Sequence, residues 1–260
     1  MDASQQTVLI TGANSGIGLE CARIMSNLGY RLILVGRSKE RLQEAIDSLS
    51  SETEAHMIVS DLSLPSAAIE VMTGVRELGC SIDILINNAG VGLYGALLET
   101  DPVKEEDMMQ LNMQTLVQLT RLVLPEMVQR GSGRILNVAS TAAFFPGPLM
   151  AVYYATKAFV LSFSEAIDEE LRGTGVTVTA LCPGPTSTGF AKTADMGRSR
   201  LFKGRIATAR DAAQTGISGM LAGKRVVIDG AMNRIMIAFA RILPRRLLAR
   251  LVTFIQGPVR

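Results

Sequence analysis

The sequence predicts an α/β fold in which one parallel sheet is wound with helices on both faces. Short β-branched apolar runs alternate along the chain with amphipathic stretches of helical length, and this alternation is typical of repeated βαβ units. Glycines also stand just after four of the helical stretches, where a left-handed helix end is favoured: Gly29, Gly79, Gly131 and Gly173. Both observations predict the same doubly wound sheet.

The apolar runs give the strands in order. We expect strands at residues 7–10, 31–35, 56–59, 82–86, 134–138 and 176–181, because continuous apolar runs are typical of strands buried on both faces. The helices between them are predicted at roughly residues 16–28, 38–49, 66–78, 102–130 and 152–172. A helix at 208–222 and a strand at 225–228 complete the pattern.

Length and composition favour a single domain. The chain has 260 residues, 48% of them hydrophobic, which is enough to bury a sizeable core and excludes a disordered chain. No low-complexity linker or internal repeat divides the sequence. We interpret residues 1–230 as the domain and residues 231–260 as an extension of it.

Several classes of chemistry are disfavoured by the scarcity of His and Cys. His56 is the only histidine, so Ser-His-Asp hydrolysis and zinc catalysis would rest on one residue, and no metal site is predicted. Cys21, Cys80 and Cys182 form no CxxC pair and are interpreted as buried small hydrophobes in a reducing compartment. The N-terminus lacks the pattern of a signal peptide, and no run of 18 apolar residues predicts a spanning helix. A cytoplasmic protein is expected.

A glycine-rich loop follows the first predicted strand. Thr11-Gly12-Ala13-Asn14-Ser15-Gly16-Ile17-Gly18 leads directly into a helix. Such glycines allow a tight turn and a close approach of the backbone to a pyrophosphate, which the helix N-terminus then binds. At the head of an alternating series, the loop predicts dinucleotide binding in a Rossmann-type sheet.

Arg37 indicates which dinucleotide is preferred. The second strand ends in Val35-Gly36-Arg37-Ser38, without the acid that commonly binds the 2′-hydroxyl of NAD(H). An arginine can instead pair with a 2′-phosphate and stack on adenine. The sequence therefore favours NADP(H).

Further motifs follow in a fixed order: Asp61 after the third strand, Asn87-Asn88-Ala89-Gly90 after the fourth, Asn112 in the long helix, Ser140 after the fifth strand, Tyr153-x-x-x-Lys157, and Pro183-Gly184 after the sixth strand. Together with the glycine loop, they resemble the short-chain dehydrogenase/reductase family over residues 7 to about 190. The resemblance implies an oxidoreductase that transfers hydride between NADP(H) and a ketone or secondary alcohol, without a metal.

The predicted catalytic residues are Asn112, Ser140, Tyr153 and Lys157. Tyr153 and Lys157 share one helical face, and a nearby ammonium is expected to favour the tyrosine's phenolate, making it the general acid/base. Ser140 can hydrogen-bond the substrate oxygen. Asn112 resembles the family residue whose backbone carbonyl holds a water in a proton relay to the lysine.

The cofactor-binding set combines the loop and Arg37 with residues implied by the resemblance. Asp61 and Leu62 are expected at the adenine, Asn88 to Gly90 beside its ribose, and Pro183 to Thr188 at the nicotinamide. The predicted set is Gly12, Asn14, Ser15, Gly16, Ile17, Gly18, Arg37, Asp61, Leu62, Asn88, Ala89, Gly90, Tyr153, Lys157, Pro183, Gly184, Thr186 and Thr188. Asp61 could equally cap the next helix.

The substrate region is predicted to be apolar. Its candidate contacts are Ala143-Phe144-Phe145-Pro146 and Leu149-Met150 on one side and, after the Pro-Gly motif, Phe190, Met196, Leu201 and Phe202, in a segment running to about Lys203. No fixed charge is evident among them, so an apolar carbonyl or alcohol is expected. The alternatives are a 3-oxoacyl thioester reductase of fatty-acid type and a non-catalytic NADP(H)-sensing or scaffold protein.

The C-terminal segment differs from the rest of the chain. Residues 231–260 contain six arginines and no acid, whereas the remaining residues carry a net charge of −4. Its pattern predicts two basic amphipathic helices separated by Pro244, which could cover an apolar pocket, form a subunit interface, or lie on an anionic membrane.

The family resemblance implies a homodimer or homotetramer built on helices 102–130 and 152–172, and no nucleic-acid partner is expected.

Overall fold

The computed structural model describes residues 6–190, Ala194 and residues 206–257. Among these residues, seven strands form one sheet in the order β3-β2-β1-β4-β5-β6-β9, and every pair is parallel. They are β1 (Thr7–Thr11), β2 (Arg31–Gly36), β3 (Ala55–Val59), β4 (Ile84–Asn87), β5 (Gly133–Val138), β6 (Val176–Cys182) and β9 (Val226–Ile228). Two short strands, β7 (Thr186–Ser187) and β8 (Ala207–Thr208), pair separately.

Nine α-helices lie in the described ranges, and the last two follow the final strand. They are α1 (Gly16–Asn27), α2 (Lys39–Asp47), α3 (Ala67–Glu77), α4 (Pro102–Met109), α5 (Leu116–Arg130), α6 (Ala151–Glu170), α7 (Ala209–Leu221), α8 (Ala231–Ala240) and α9 (Arg245–Gln256). The predicted doubly wound parallel sheet with a helical C-terminal segment is confirmed. No helix among the described residues combines the length and apolar character needed to cross a bilayer.

Alternate strand residues supply the two halves of the core. Val8 and Ile10 of β1 face helices α1 and α7, whereas Leu9 faces α3 and α5. All three side chains are fully buried. This two-residue alternation, with apolar residues on both faces, is what a sheet covered by helices on each side requires.

The prediction of one continuous helix at 102–130 is wrong, because a π-helical turn at Gln110–Thr115 separates α4 from α5. Buried polar side chains hold this turn to neighbouring loops. Thr115 Oγ1 donates to Leu62 O at 2.8 Å, and Asn112 Nδ2 donates to Val91 O at 2.9 Å. The partners in these contacts are distant in sequence, and the apolar periodicity continues through the turn. The sequence pattern therefore does not reveal the turn.

The order of the strands places the site. From β1 the chain continues to β2 and β3 on one side of the sheet, and from β4 it continues to β5 and β6 on the other side. A crevice therefore opens between the carboxyl ends of β1 and β4. In doubly wound sheets this crevice is where ligands bind. The loops that follow β1, β2, β4, β5 and β6 all meet there.

Candidate active site

One continuous cleft of about 1280 Å³ runs across the carboxyl ends of the strands. The catalytic candidates Ser140, Tyr153 and Lys157 line it together with nearly the whole predicted cofactor set: Gly12, Asn14, Ser15, Gly16, Ile17, Arg37, Asp61, Leu62, Asn88, Ala89, Gly90, Pro183, Gly184, Thr186 and Thr188. Two predicted residues, Gly18 and Asn112, lie behind its wall. The structure therefore brings the separate sequence motifs to one place.

The glycine loop is held against the loop after β4. Asn88 Nδ2 donates to Thr11 O at 2.9 Å and to Gly12 O at 3.1 Å, and Ala89 N donates to Thr11 Oγ1 at 3.0 Å. A Cβ on Gly18 would lie 2.3 Å from Gly12 O and 2.4 Å from Asn88 Nδ2. Gly18 is thus required for close packing of the loop, whereas Gly12, at φ +64°, is required for its turn.

The start of α1 lies beside this loop and has the features that favour anion binding. Ser15 precedes the helix in an extended conformation, and its side chain makes no capping hydrogen bond among the described residues. Gly16 and Ile17, the first residues of the helix, line the cleft. Uncapped N–H groups and the positive end of the helix dipole favour a phosphate at this position.

Positive charge is concentrated where β2 ends. Arg37 lines the cleft there, as predicted, and so does Arg41 on α2, which the sequence did not single out. Lys104 and Asp107 on α4 also line the cleft. Arg37 lies just before α2, and Arg41 is in the first turn of that helix, four residues further along. This spacing was visible in the sequence, but the orientation of α2 toward the cleft was not. Such a pair of guanidinium groups fits the 2′-phosphate of NADP(H).

The loop after β3 closes this end of the cleft. Asp61 Oδ1 accepts hydrogen bonds from Ser63 N at 3.1 Å and Ser63 Oγ at 2.8 Å, so its carboxylate also stabilises its own turn. Ser60 lines the cleft, and its buried Oγ has no partner among the described residues. A polar ligand at this edge would satisfy that hydroxyl. The glycine loop, the cations and Ser60 together fit NADP(H).

Tyr153 and Lys157 extend from α6 toward Ser140 at the end of β5. Lys157 Nζ donates to Val138 O at 2.8 Å and lies 5.9 Å from the centre of the Tyr153 ring. Ser140 Oγ donates to Pro183 O at 3.5 Å and accepts from Ala142 N at 3.1 Å. Gly90 permits this packing, because a Cβ there would lie 3.3 Å from Lys157 Nζ.

Burial controls the protonation of both α6 residues. It raises the pKa of the Tyr153 phenol well above its ordinary value, and contact with Ser140 offsets this only in part. Burial also lowers the pKa of Lys157 to about 8. Removal from water disfavours the charged form of each group, and at Tyr153 it is the largest cause of the pKa shift.

Asn112 acts on the site through its neighbours. Its side chain, 1% exposed, accepts from Val91 N at 3.0 Å and donates to Val91 O and to Thr156 Oγ1 on α6. It therefore joins the π-helical turn to the loop after β4 and to the helix that carries Tyr153 and Lys157. π-Helical turns often occur at functional sites.

The loop after β6 forms the floor of the cleft. Thr186 Oγ1 donates to Gly184 O at 2.9 Å, and Thr188 Oγ1 accepts from Phe190 N at 3.2 Å. A Cβ on Gly184 would lie 2.4 Å from Nδ2 of Asn233 in α8. The Pro-Gly motif is thus packed directly under the C-terminal segment.

Apolar residues surround the part of the cleft beyond Tyr153. Phe145, Met150 and Phe190 line it as predicted, and Phe190 packs on the Tyr153 ring with centroids 5.2 Å apart. Ala143, Phe144, Pro146 and Leu149 are not on the wall. Phe144 instead packs into the core with Val160, since the 3₁₀ turn at Thr141–Phe144 directs it inward. Met196, Leu201, Phe202 and Lys203 lie outside the described residues.

Residues 231–256, which comprise helices α8 and α9 and the segment between them, are here called the cap, and they form the remaining wall of this apolar part. The cap residues that line the cleft are Asn233, Met236, Phe239, Ala240, Leu243, Leu248, Leu251, Val252, Ile255 and Gln256. Gln256 Nε2 donates to Tyr154 OH, and Gln256 O accepts from Tyr94 OH at 2.8 Å. The sequence left three alternatives for this segment: it could cover an apolar pocket, form a subunit interface or lie on a membrane. The inner face of the cap covers an apolar pocket.

Comparison with known proteins agrees with this arrangement. The family described as short chain dehydrogenase matches residues 6–198. An NADP-dependent 3-hydroxy acid dehydrogenase of Escherichia coli is 40% identical over 178 residues, which cover 68% of this chain and 71% of that protein.

Solved structures extend the likeness over most of the chain. A short-chain dehydrogenase from Sphingobium yanoikuyae in complex with NADPH has a TM-score of 0.81 at 32% identity, covering 91% of this chain and 94% of its own. A bulky-bulky ketone specific alcohol dehydrogenase from Comamonas testosteroni has a TM-score of 0.77 at 30% identity, covering 91% and 92%. The sequence motifs, the cleft and these likenesses lead to one conclusion: the chain belongs to the short-chain dehydrogenase family of oxidoreductases.

Proposed function

We propose that this protein is an NADP(H)-dependent carbonyl reductase that converts an apolar ketone to a secondary alcohol, and the alcohol to the ketone in reverse. One observation carries the proposal. The cleft joins a cationic end beside Arg37 and Arg41 to an end where the apolar side chains of Phe145, Met150 and Phe190 lie with Tyr153. Such a cleft favours a phosphorylated cofactor at one end and an uncharged substrate at the other.

The cofactor supplies the hydride when it is bound. Gly12, Gly16 and Ile17 would hold its pyrophosphate at the start of α1, and Arg37 with Arg41 its 2′-phosphate. Asp61 and Leu62 would contact the adenine. Pro183, Gly184, Thr186 and Thr188 would lie against the nicotinamide end, where Lys157 can bind ribose hydroxyls.

Tyr153 would act as the proton donor. Burial keeps its phenol protonated at neutral pH, which is the form that reduction needs. The phenol gives its proton to the substrate oxygen as negative charge develops there, and Ser140 donates a hydrogen bond to the same oxygen. The Lys157 ammonium then stabilises the phenolate that remains, and the backbone carbonyl of Asn112 would hold a water that returns a proton through the lysine.

We infer a homodimer or homotetramer built on α5 and α6. Phe159 on α6 is 40% exposed and stacks on Phe163 at 5.9 Å, and Leu122 and Val128 on α5 are similarly exposed. Helices that present aromatic and aliphatic side chains at the surface are typical of subunit interfaces.

The decisive experiment measures NADPH oxidation by the purified full-length protein with apolar ketones. Tyr153→Phe should lower kcat by about 10²- to 10⁴-fold, because it removes the proton donor, while leaving NADPH affinity within a few-fold. Tyr30→Phe is the matched control, since Tyr30 packs on the core away from the cleft. NADH should be a poorer cofactor than NADPH.

The alternatives give different results. Turnover confined to 3-oxoacyl thioesters would identify a reductase of fatty-acid type. Tight NADPH binding without turnover of any carbonyl compound would favour a sensing or scaffold protein. Unchanged turnover in Tyr153→Phe would contradict the proposed role of that residue.

A further inference from the structure

The cap has two apolar faces, and only the inner face packs against the rest of the protein. Its inner face is buried through Ile237, Leu248 and Val252. Its outer face carries apolar side chains that are largely exposed: Met232, Ile235, Phe239, Ile242, Leu247 and Leu251, with Ile242 at 83% and Met232 at 75%. Scattered exposed apolar residues are ordinary, but a concentration of them on one pair of helices indicates an interaction surface.

The exposed surface of the cap is also strongly basic. Arg241, Arg245, Arg246 and Arg250 are exposed, and no carboxylate of the described residues lies within 4.0 Å of any of them. The sequence from 231 to 260 contains no acid at all. A partner for this face must therefore supply both negative charge and an apolar layer.

Two classes of partner fit less well than a lipid surface. A second copy docked through the same face in a two-fold dimer would bring the arginines of both caps together without an acid to offset them. A nucleic acid would meet the arginines but not the branched aliphatic side chains between them. Anionic phospholipid offers charge at the headgroups and hydrocarbon directly beneath, which is the arrangement that basic amphipathic helices bind.

The mouth of the cleft lies on this side of the molecule. Met236, Phe239 and Leu251 line the cleft and are also 39%, 64% and 47% exposed. An apolar surface therefore continues from the outer face of the cap into the cleft. A bilayer seated on the cap would cover that mouth.

We propose that the outer face of the cap, formed by Met232, Ile235, Phe239, Ile242, Leu247 and Leu251 with Arg241, Arg245, Arg246 and Arg250, binds the surface of an anionic phospholipid bilayer. The apolar side chains enter the level of the acyl boundary while the guanidinium groups bind the phosphates. This binding does not depend on turnover, so it can be tested whether or not the protein reduces ketones.

The test is co-sedimentation of the full-length protein with phosphatidylcholine vesicles, prepared with or without phosphatidylglycerol. Binding is expected only to the anionic vesicles and should be strongly reduced at about 0.5 M salt, where charges are screened within a few ångströms. Arg246→Gln/Arg250→Gln should weaken partitioning on the order of 20-fold. Ile242→Ser should weaken it about tenfold.

Arg76→Gln/Arg172→Gln is the matched control, because it removes two exposed arginines from the body of the protein and should leave vesicle binding unchanged. NADPH binding by each variant shows that it is folded. Absence of wild-type binding to anionic vesicles, equal loss in both arginine pairs, or an oligomer that Ile242→Ser dissociates without any vesicle binding would each overturn the proposal.

Discussion

Side-chain hydrogen bonds to the backbone and close packing hold the cofactor end of the cleft, whereas apolar side chains and two hydrogen bonds of Gln256 hold the cap end. At the first, Asn88 Nδ2 bonds Thr11 O and Gly12 O, and Gly18 leaves no room for a methyl group. At the second, Leu248 and Val252 are buried beside the Tyr94–Gln256–Tyr154 contacts. One end tolerates no change of shape, and the other can adjust.

This difference fits the role proposed for each end. A cofactor of fixed shape is best bound by a preorganised loop, and a set of apolar substrates by a wall that can repack. We therefore expect substitutions at the cofactor end to cause large losses of stability and NADPH affinity, and substitutions at the cap to cause small changes. The following substitutions test that contrast in order of expected effect.

Gly18→Ala should have the largest effect. Its Cβ would lie 2.3 Å from Gly12 O, a backbone atom that cannot move without displacing the phosphate loop. We expect the free energy of unfolding to fall by about 3 kcal/mol or more and NADPH affinity to fall at least about 100-fold, as measured by urea unfolding and by fluorescence titration.

Gly29→Ala is the matched control for that substitution. Gly29 ends α1 at φ +85° with open space around its Cβ position, so the cost is conformational and about 1 kcal/mol. NADPH affinity should not change. Equal loss of affinity in both variants would show that general destabilisation, rather than the shape of the loop, limits binding.

Lys157 lies between the two ends of the cleft, and its titration should make the free energy of unfolding depend on pH. Because burial lowers its pKa to about 8, the unfolded chain binds more protons at this residue than the folded protein between about pH 8 and 10.5. The wild-type protein should therefore gain stability relative to Lys157→Met by about 1.4 kcal/mol per pH unit as pH rises through this window, and show no such trend below pH 8.

The comparison uses urea unfolding of both proteins at each pH, so that the titration of the buried cysteines cancels. A flat difference between the two proteins from pH 8 to 10.5 would mean that the lysine is solvated in the folded state.

Tyr94→Phe should have the smallest effect, because it removes one hydrogen bond to the cap and leaves Gln256 O without its donor. We expect local opening of the cap to become easier by about 1 kcal/mol. Trypsin cleavage at the cap arginines should then be about fivefold faster, since cleavage follows the population of the open form. Tyr30→Phe should leave the rate unchanged, and a rate that stays the same in Tyr94→Phe would show that this bond does not hold the cap.

The two ends also differ in how far the sequence predicts them. The glycine loop and the Tyr153–Lys157 pair belong to an ordered set of sequence motifs that resembles the family, so their residues were identifiable before the fold was known. Arg41 and Lys104 were not identified, because their positions depend on how α2 and α4 are set against the sheet. The π-helical turn around Asn112 was missed for the same reason: tertiary hydrogen bonds create it.

At the cap, amphipathicity predicted two helices but not which surface each face would meet. One pattern of apolar residues was compatible with a pocket, a subunit or a membrane. Packing against Tyr94, Tyr154 and Gly184 settles the inner face, and these three residues are distant from the cap in sequence. Phe144 and Phe145 show the same limit at smaller scale, since adjacent phenylalanines face the core and the cleft respectively.

The most direct test of the account is the dependence of kcat/KM on substrate shape, measured with NADPH for ketones of increasing alkyl length and for the same ketones with a terminal carboxylate. The account predicts a rise of up to about fourfold per methylene while the chain fills the apolar end beneath the cap, and a marked loss when the terminal carboxylate enters it. A rate independent of chain length, or a preference for the keto acids, would contradict an apolar substrate site formed by the cap.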